Sequence, residues 1–105
     1  ALKFLQQKGF TLIKQNFRIR GGELDLIMQK DDILFFVEVK TRYNNKFGLA
    51  EEALTKRQKH RLLNTIYTYL QSQQKYYRWR CDLIAINLTS PSRGTIKHII
   101  DIFTA

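Results

Sequence analysis

Alternating apolar and polar side chains predict a β-hairpin in the first third of the chain. Segments 23–28 and 33–40 both alternate, and the short stretch 29–32 between them is polar. The turn is either the two residues Asp31-Asp32 or the four residues from Lys30 to Ile33, and both choices give the same register of the two strands. In this register one face of the hairpin is wholly apolar. The pairs expected on that face are Leu24 with Val39, Leu26 with Val37, and Met28 with Phe35.

The opposite face of the predicted hairpin brings two carboxylates together. Asp25 lies opposite Glu38, and Glu23 lies opposite Lys40, with the Cβ atoms of facing residues about 5 Å apart. Two unit charges at that separation repel by about 3 kcal/mol at an effective dielectric constant of about 20. We therefore expect a positive group beside Asp25 and Glu38.

That positive group is a shared proton, the ammonium of Lys40 or a divalent cation. A shared proton requires strong burial, and Lys40 is a single charge facing three acids. Mg²⁺ commonly binds through one or two carboxylates together with substrate phosphates, so we favour the cation. The alternative is an exposed cross-strand salt bridge among Glu23, Glu38 and Lys40, worth less than about 1 kcal/mol.

The rest of the pattern predicts an α/β sandwich around a mixed sheet of about five strands, flanked by helices. The long helix opens with a capping box, Thr55-x-x-Gln58, and carries an apolar stripe that predicts packing on a sheet. The stripe comprises Leu62, Leu63, Ile66, Tyr67 and Leu70. Segment 33–37 is apolar on both sides, which suits a sheet covered on both faces, and we place the hairpin centrally. The other expected elements are helices at 1–8 and 49–54, strands at 10–18, 80–88 and 95–103, and a turn at 89–94.

Length and composition indicate one domain, residues 1–105, with 44% hydrophobic residues. The first helix begins abruptly and the chain lacks an initiator Met, so we expect residues upstream of Ala1 to be missing. No apolar run has the length of a membrane span and nothing resembles a signal peptide, which predicts a cytoplasmic protein without a membrane partner. The single cysteine, Cys81, is expected to be a small buried hydrophobe, and two histidines are too few for a zinc site.

The net charge of +9 predicts a polyanionic partner, for which nucleic acid is the commonest choice. Arg42 and Lys46 follow Lys40 closely and are candidates for backbone-phosphate contacts. Lys56 and Lys59 open the long helix, where cations oppose the helix dipole unless a phosphate binds there. The alternative is a solvated basic helix face. The aromatic residues Tyr76, Tyr77 and Trp79 would stack on unpaired bases or, more commonly, pack in a core.

Asp25, separated by twelve residues from Glu38-x-Lys40, has the pattern of the PD-(D/E)xK superfamily of metal-dependent nucleases, with Leu-Asp in place of Pro-Asp. The match extends over further segments, and together they resemble the YraN family of small bacterial proteins, itself similar to the Holliday-junction resolvases. The resemblance runs from about Gly9 to the end of the chain. The segments that carry it are 22–27, 36–42, 47–48, Lys56 and 80–84.

This resemblance implies a restriction-endonuclease-like fold in which Asp25, Glu38 and the backbone carbonyl of Val39 bind Mg²⁺ or Mn²⁺. It further implies that Lys40 orients or activates the attacking water, or stabilises charge on the phosphate. Glu23 would be a metal ligand, a surface charge or, as we favour, a partner that restrains Lys40. Relatives also use an acid from the first helix, whose matching turn would lie before Ala1, and they imply a homodimer.

The leading prediction is a Mg²⁺-dependent nuclease-like protein that hydrolyses phosphodiester bonds, with DNA preferred to RNA as the expected partner. Branched or structured DNA is one candidate substrate, and the sequence alone leaves the choice of polymer open. One alternative is a non-catalytic nucleic-acid-binding module that retains the nuclease fold. Another is an interaction protein whose basic surface meets a ribosome or a membrane.

Overall fold

Five strands form one mixed sheet in the computed structural model, which describes residues 1–44, 48–74 and 78–103. The strands lie in chain order, β1-β2-β3-β4-β5; β3 and β4 are parallel, and all other neighbours are antiparallel. The elements are α1 (Leu2–Gln7), β1 (Thr11–Ile19), β2 (Gly22–Lys30), β3 (Ile33–Tyr43), a 3₁₀ helix (Ala50–Glu52), α2 (Lys56–Gln71), β4 (Arg78–Ser90) and β5 (Arg93–Ile99).

The topology confirms the predicted α/β class with a five-stranded mixed sheet, consistent with a restriction-endonuclease-like sandwich. Parallel neighbours cannot be joined by a tight turn, and α2 lies in the connection from β3 to β4. The predicted hairpin is β2-β3, and β3 is the central strand.

Apolar side chains cover both faces of the sheet, as the apolar run of β3 predicts. One core, the α2-side core, consists of Leu24, Ile27, Leu34, Phe36, Cys81 and the helix residues Leu62, Ile66 and Tyr69. The other, the α1-side core, consists of Leu5, Phe10, Leu26, Met28, Phe35, Val37 and Ile84. Cys81 is a buried free thiol whose pKa is raised by that burial, so the prediction of a small buried hydrophobe is confirmed.

The predicted apolar stripe of α2 is wrong at one position. Tyr67 is 48% exposed, whereas Thr65 and Tyr69 are buried. Tyr69 packs its ring edge-on against Phe17 and Phe36, with centroids 5.2 and 5.8 Å apart. These contacts fix the rotation of α2 about its axis, and they turn Tyr67 outward.

The helix start and the last strand differ in how well the pattern located them. The capping box is confirmed, because Gln58 N–H donates to Thr55 Oγ1 at 3.1 Å and Thr55 N–H donates to Gln58 Oε1 at 2.9 Å. The predicted strand 95–103 instead ends at Ile99, and Asp101 has a left-handed φ of 60°.

In the part of the chain that the structure describes, no helix combines the length and the apolar character needed to cross a bilayer.

Candidate active site

The β2-β3 ladder has the predicted register but stops where the two carboxylates lie. Leu26 pairs with Val37 and Met28 pairs with Phe35, as predicted. The predicted pairing of Leu24 with Val39 is wrong, because the ladder ends at Leu26. Leu24 packs in the α2-side core, whereas Val39 packs against the α1-side core.

The ladder ends where the side chains of β1 and β2 change face. Leu24 pairs with Phe17, which packs against the α2-side core, whereas Met28 pairs with Leu12, which packs against the α1-side core. Asn16, next to Phe17, has a left-handed φ of 51° that interrupts the regular alternation. Along each strand, the side chains therefore change between packing on the α1-side core and packing on the α2-side core, and on β2 this change occurs at Asp25.

The side chain of Asp25 accepts a hydrogen bond at the point where the β2-β3 backbone ladder has ended. Its Oδ2 accepts a hydrogen bond from the backbone N–H of Val39 at 2.8 Å. Glu38 lies within hydrogen-bonding reach of Asp25, so the two predicted carboxylates do meet. Both residues are half-buried.

The contact with Asp25 contributes to a raised pKa at Glu38. Burial raises the pKa of its carboxyl, the hydrogen bond and charge of Asp25 raise it further, and Lys40 opposes them, leaving a pKa of about 8. At neutral pH the pair therefore holds a proton unless another positive group replaces it.

Glu38 and Lys40 open into a cleft of about 580 Å³ between the β1-β2 turn, β3 and the start of α2. A Cβ on Gly22 would collide with Thr65 Oγ1, so only glycine lets β2 approach α2 this closely. The charged residues that line the cleft are Arg18, Glu23, Glu38, Lys40 and Arg61.

Glu23 lines the same cleft, although its ion pair is not with the predicted partner. Among the residues that the structure describes, its carboxylate pairs with Arg18, whose Nε lies 3.3 Å from Oε1. This pair is exposed, and Lys40 shares the cleft without being held by Glu23.

The residues predicted to contact nucleic acid lie at separate places in the structure. Arg42 follows Lys40 by two positions on β3, and its buried Nε has no hydrogen-bond partner within the described ranges. Lys56 is exposed at the first residue of α2. Lys59 lines a different pocket, next to Leu54 and Asp101, so it does not join the cleft. The prediction for Lys46 falls outside the described residues.

The predicted aromatic surface is described only in part. Tyr76 and Tyr77 fall outside the described residues. Trp79 is half-buried, and its ring meets Phe36 edge-on with centroids 5.8 Å apart. This contact favours the core alternative for Trp79.

Sequence reasoning missed two cleft residues, Arg18 and Arg61. Arg61 follows Gln58 by three positions, so both lie on the helix face that meets the cleft. Arg18 stands opposite Glu23 in the β1-β2 ladder. The helical spacing was a usable signal for Arg61, but the cross-strand signal for Arg18 required the β1-β2 register.

The donor atoms at this site fit a hard divalent cation better than zinc. Over the described part of the chain, no group of three or more His, Cys, Asp and Glu side chains converges on one point. Asp25 and Glu38 supply two adjacent carboxylates, and Mg²⁺ accepts such a pair when water or substrate oxygens complete its shell. The raised pKa of Glu38 indicates that a second negative charge on this pair is unfavourable, and a bound cation would offset that cost. The role of the Val39 carbonyl as a ligand stays a prediction.

A second polar cluster lies on the α1 side of the sheet, around the buried carboxylate of Asp82. Arg80 donates to it through two nitrogens at 2.8 and 2.9 Å, His98 Nε2 lies at 2.7 Å, and Asp101 N–H donates at 3.0 Å. Burial alone would raise the pKa of Asp82, but these bonds leave it below its ordinary value. The Arg80 guanidinium also lies over the ring of Phe35, 4.6 Å from its centroid. The cluster joins β4 to β5 and is separate from the cleft.

Comparison with known proteins places the chain in one family. Residues 1–86 match the uncharacterised protein family UPF0102. A UPF0102 protein of Syntrophomonas wolfei is 39% identical over 104 residues, which cover 98% of this chain and 90% of the relative. A UPF0102 protein of Shewanella frigidimarina is 43% identical over 88 residues, which cover 84% of this chain and 82% of the relative. The chain therefore belongs to the uncharacterised protein family UPF0102, which is the YraN family that its sequence resembles.

Proposed function

We propose that this protein is a metal-dependent nuclease-like domain that binds DNA and hydrolyses phosphodiester bonds. The observation that carries the proposal is the contact between Asp25 and Glu38, with Glu38 opening into the same cleft as Lys40. The net charge of +9 supports a polyanionic substrate. The preference for DNA, and for branched or structured DNA, rests on the resemblance to resolvases.

The chemistry would be divided among Asp25, Glu38 and Lys40; the last two line the cleft, and Asp25 contacts Glu38 without lining it. Asp25 and Glu38 would hold Mg²⁺ or Mn²⁺, and Val39 N–H fixes the orientation of Asp25. A bound divalent ion supplies a Lewis acid for the phosphate and lowers the pKa of bound water. Lys40 shares the cleft with Glu38 and would stabilise negative charge that develops on the phosphate, or orient the attacking water.

A cleavage assay tests this proposal. A labelled four-way DNA junction and a linear duplex are incubated with the protein in Mg²⁺, in Mn²⁺ and in EDTA. We expect cleavage that requires metal and that falls at least about 100-fold in Asp25→Asn, Glu38→Gln and Lys40→Ala, because each removes charge from the reacting centre.

Asp32→Asn is the matched control for the acid variants. Asp32 lies in the exposed β2-β3 turn with a φ of 65°, a conformation that asparagine adopts readily. It should cleave like the wild type. Metal-dependent cleavage that persists unchanged in Glu38→Gln would overturn the proposed mechanism.

A second candidate function is a non-catalytic nucleic-acid-binding module with the nuclease fold. It is favoured by the small donor set, since no third acidic, histidine or cysteine side chain joins Asp25 and Glu38 among the described residues. This alternative predicts no cleavage and salt-dependent DNA binding that is indifferent to Asp25→Asn. The two assays together separate the candidates.

A further inference from the structure

Two arginines, Arg18 and Arg61, line the cleft of Glu38 and Lys40 and have no part in the chemistry proposed above. They reach the cleft from different elements, Arg18 from β1 and Arg61 from α2. Lys40 enters from β3. Cations therefore line the cleft from three elements.

Arg61 owes its place to the close contact of α2 with β2. Its backbone carbonyl accepts a hydrogen bond from Thr65 Oγ1 at 2.8 Å and lies 3.4 Å from the position that a Cβ on Gly22 would occupy. The turn of α2 that carries Arg61 is thus seated directly on the start of β2. Within residues 1–44, 48–74 and 78–103, Arg61 forms no ion pair.

Arg18 is held at the cleft by a weak and replaceable contact. Its Nε lies 3.3 Å from Glu23 Oε1, and the two side chains are 71% and 46% exposed. Ion pairs this exposed contribute little to stability. A phosphate can accept two parallel hydrogen bonds from a guanidinium, so it competes effectively with Glu23 for Arg18.

The arrangement selects a ligand with more than one anionic group. Arg18, Lys40 and Arg61 outnumber the acids Glu23 and Glu38 in the cleft, and Glu23 is already paired. Because the three cations belong to three elements, a single small anion satisfies them less well than an extended polyanion. Successive phosphates along a nucleic-acid backbone provide that spacing of charge.

We propose that Arg18 and Arg61 form a phosphate clamp that holds the nucleic-acid backbone in this cleft, and that Glu23 competes with the phosphate for Arg18. The clamp rests on the proposed function for its substrate class, and it adds two binding residues and one competitor. Binding by the clamp requires neither metal nor turnover.

Fluorescence anisotropy of a fluorescein-labelled DNA junction, measured in EDTA over a series of NaCl concentrations, tests the clamp. We expect Arg18→Ala and Arg61→Ala each to weaken binding about tenfold and to reduce the slope of log K against log salt by about one. Glu23→Gln should tighten binding about two- to fivefold, because it frees Arg18. That gain should vanish in the double variant Glu23→Gln, Arg18→Ala.

Arg57→Ala and Arg93→Ala are the matched controls. Arg57 is exposed on α2 and Arg93 on β5, and neither lines the cleft. Each should change affinity less than about twofold at the higher salt concentrations. An RNA strand of the same sequence is measured in parallel; dependence on Arg18 and Arg61 supports the clamp with either polymer, and the tighter ligand identifies the substrate.

The clamp and the nuclease proposal fail in distinguishable ways. Wild-type affinity in both Arg18→Ala and Arg61→Ala overturns the clamp, even if the protein cleaves DNA. Absence of cleavage by the wild type overturns the nuclease proposal, and arginine-dependent binding then leaves the clamp standing. Weakening by Arg57→Ala as large as that by Arg61→Ala would also overturn the clamp, since it would indicate a diffuse basic surface.

Discussion

At Glu38, burial and the neighbouring Asp25 act on the carboxyl in the same direction. Together they raise its pKa from the ordinary value of 4.5 to about 8, against the opposing charge of Lys40. The folded protein therefore holds a proton on Glu38 at a pH where the unfolded chain has lost it. Stability and the state of the site are linked through this one group.

This linkage predicts a fall in stability with rising pH. In EDTA, Glu38 favours the folded state fully below about pH 4.5, and this contribution is lost as the pH rises through about 8. We expect the free energy of unfolding to fall by on the order of 1 to 2 kcal/mol across this window, after allowing for solvent screening of a half-buried group. Urea unfolding at several pH values measures it.

Glu38→Gln is the control for that measurement. Glutamine keeps the size of the side chain but cannot ionise, so its unfolding free energy should lack this part of the pH dependence. An identical pH profile in the wild type and in Glu38→Gln would contradict the assignment of the raised pKa to this site.

The meeting of the two carboxylates could be predicted from the sequence, but their exact setting could not. Alternation along β2 and β3 fixed the register that brings Asp25 towards Glu38. The ladder stops at Leu26, next to a left-handed Asn16 on the neighbouring strand β1, and periodicity records neither feature. For that reason the hydrogen bond from Val39 to Asp25 was not foreseen.

At the scale of elements, the contact between α2 and β2 sets the shape of the cleft. Gly22 has no Cβ, and this absence lets the α2 turn with Arg61 and Thr65 lie on the strand. The helical pattern predicted that α2 packs on the sheet, yet it misassigned Tyr67. Rotation of a helix depends on its tertiary partners, here Phe17 and Phe36, more than on its own sequence.

Gly22→Ala should therefore destabilise the protein and disturb the cleft. The added methyl group meets Thr65 Oγ1, and overpacking of this kind costs about 1 to 3 kcal/mol. Chemical denaturation measures the loss.

A second substitution distinguishes this clash from a backbone effect. Thr65→Ala removes the clashing oxygen, whose hydrogen bond is to Arg61 in its own helix. In the Thr65→Ala background, Gly22→Ala should therefore lower the free energy of unfolding much less than it does in the wild type. Simple additivity of the two losses would show that the contact with Thr65 is not the cause.

At the scale of the whole molecule, folding and the proposed metal site are coupled. Asp25 and Glu38 are separated by the β2-β3 turn and meet only in the folded hairpin, so the unfolded chain lacks the paired site. A ligand that binds only the folded state stabilises it in proportion to the logarithm of its concentration. The carboxylate pair therefore predicts that metal raises the melting temperature.

Titration with Mn²⁺ during thermal unfolding tests this coupling. We expect the melting temperature to rise by a few degrees at saturating Mn²⁺, more at pH 8 than at pH 6, because the proton on Glu38 competes with the metal. EDTA should reverse the rise, and Asp25→Asn should abolish it. An equal rise in Asp25→Asn would assign the metal to another part of the molecule.

The overall architecture was more predictable than its details because the number and order of the elements constrain it strongly. A helix between two apolar strands indicates a parallel crossover, and the sheet contains that crossover between β3 and β4. Arg18 could not be assigned to the cleft, because its position depends on the bulged pairing of β1 with β2.

The parallel pairing of β3 with β4 also has a kinetic consequence. The three strands β1, β2 and β3 are joined by tight turns, whereas Ile33 finds its partner Arg78 only after the whole crossover segment has been traversed. Closing such a long loop slows the search for native contacts, so β4 should dock after the three-stranded meander has formed. Until β4 docks, β3 would be the open edge of the meander, with backbone groups that another strand could pair with.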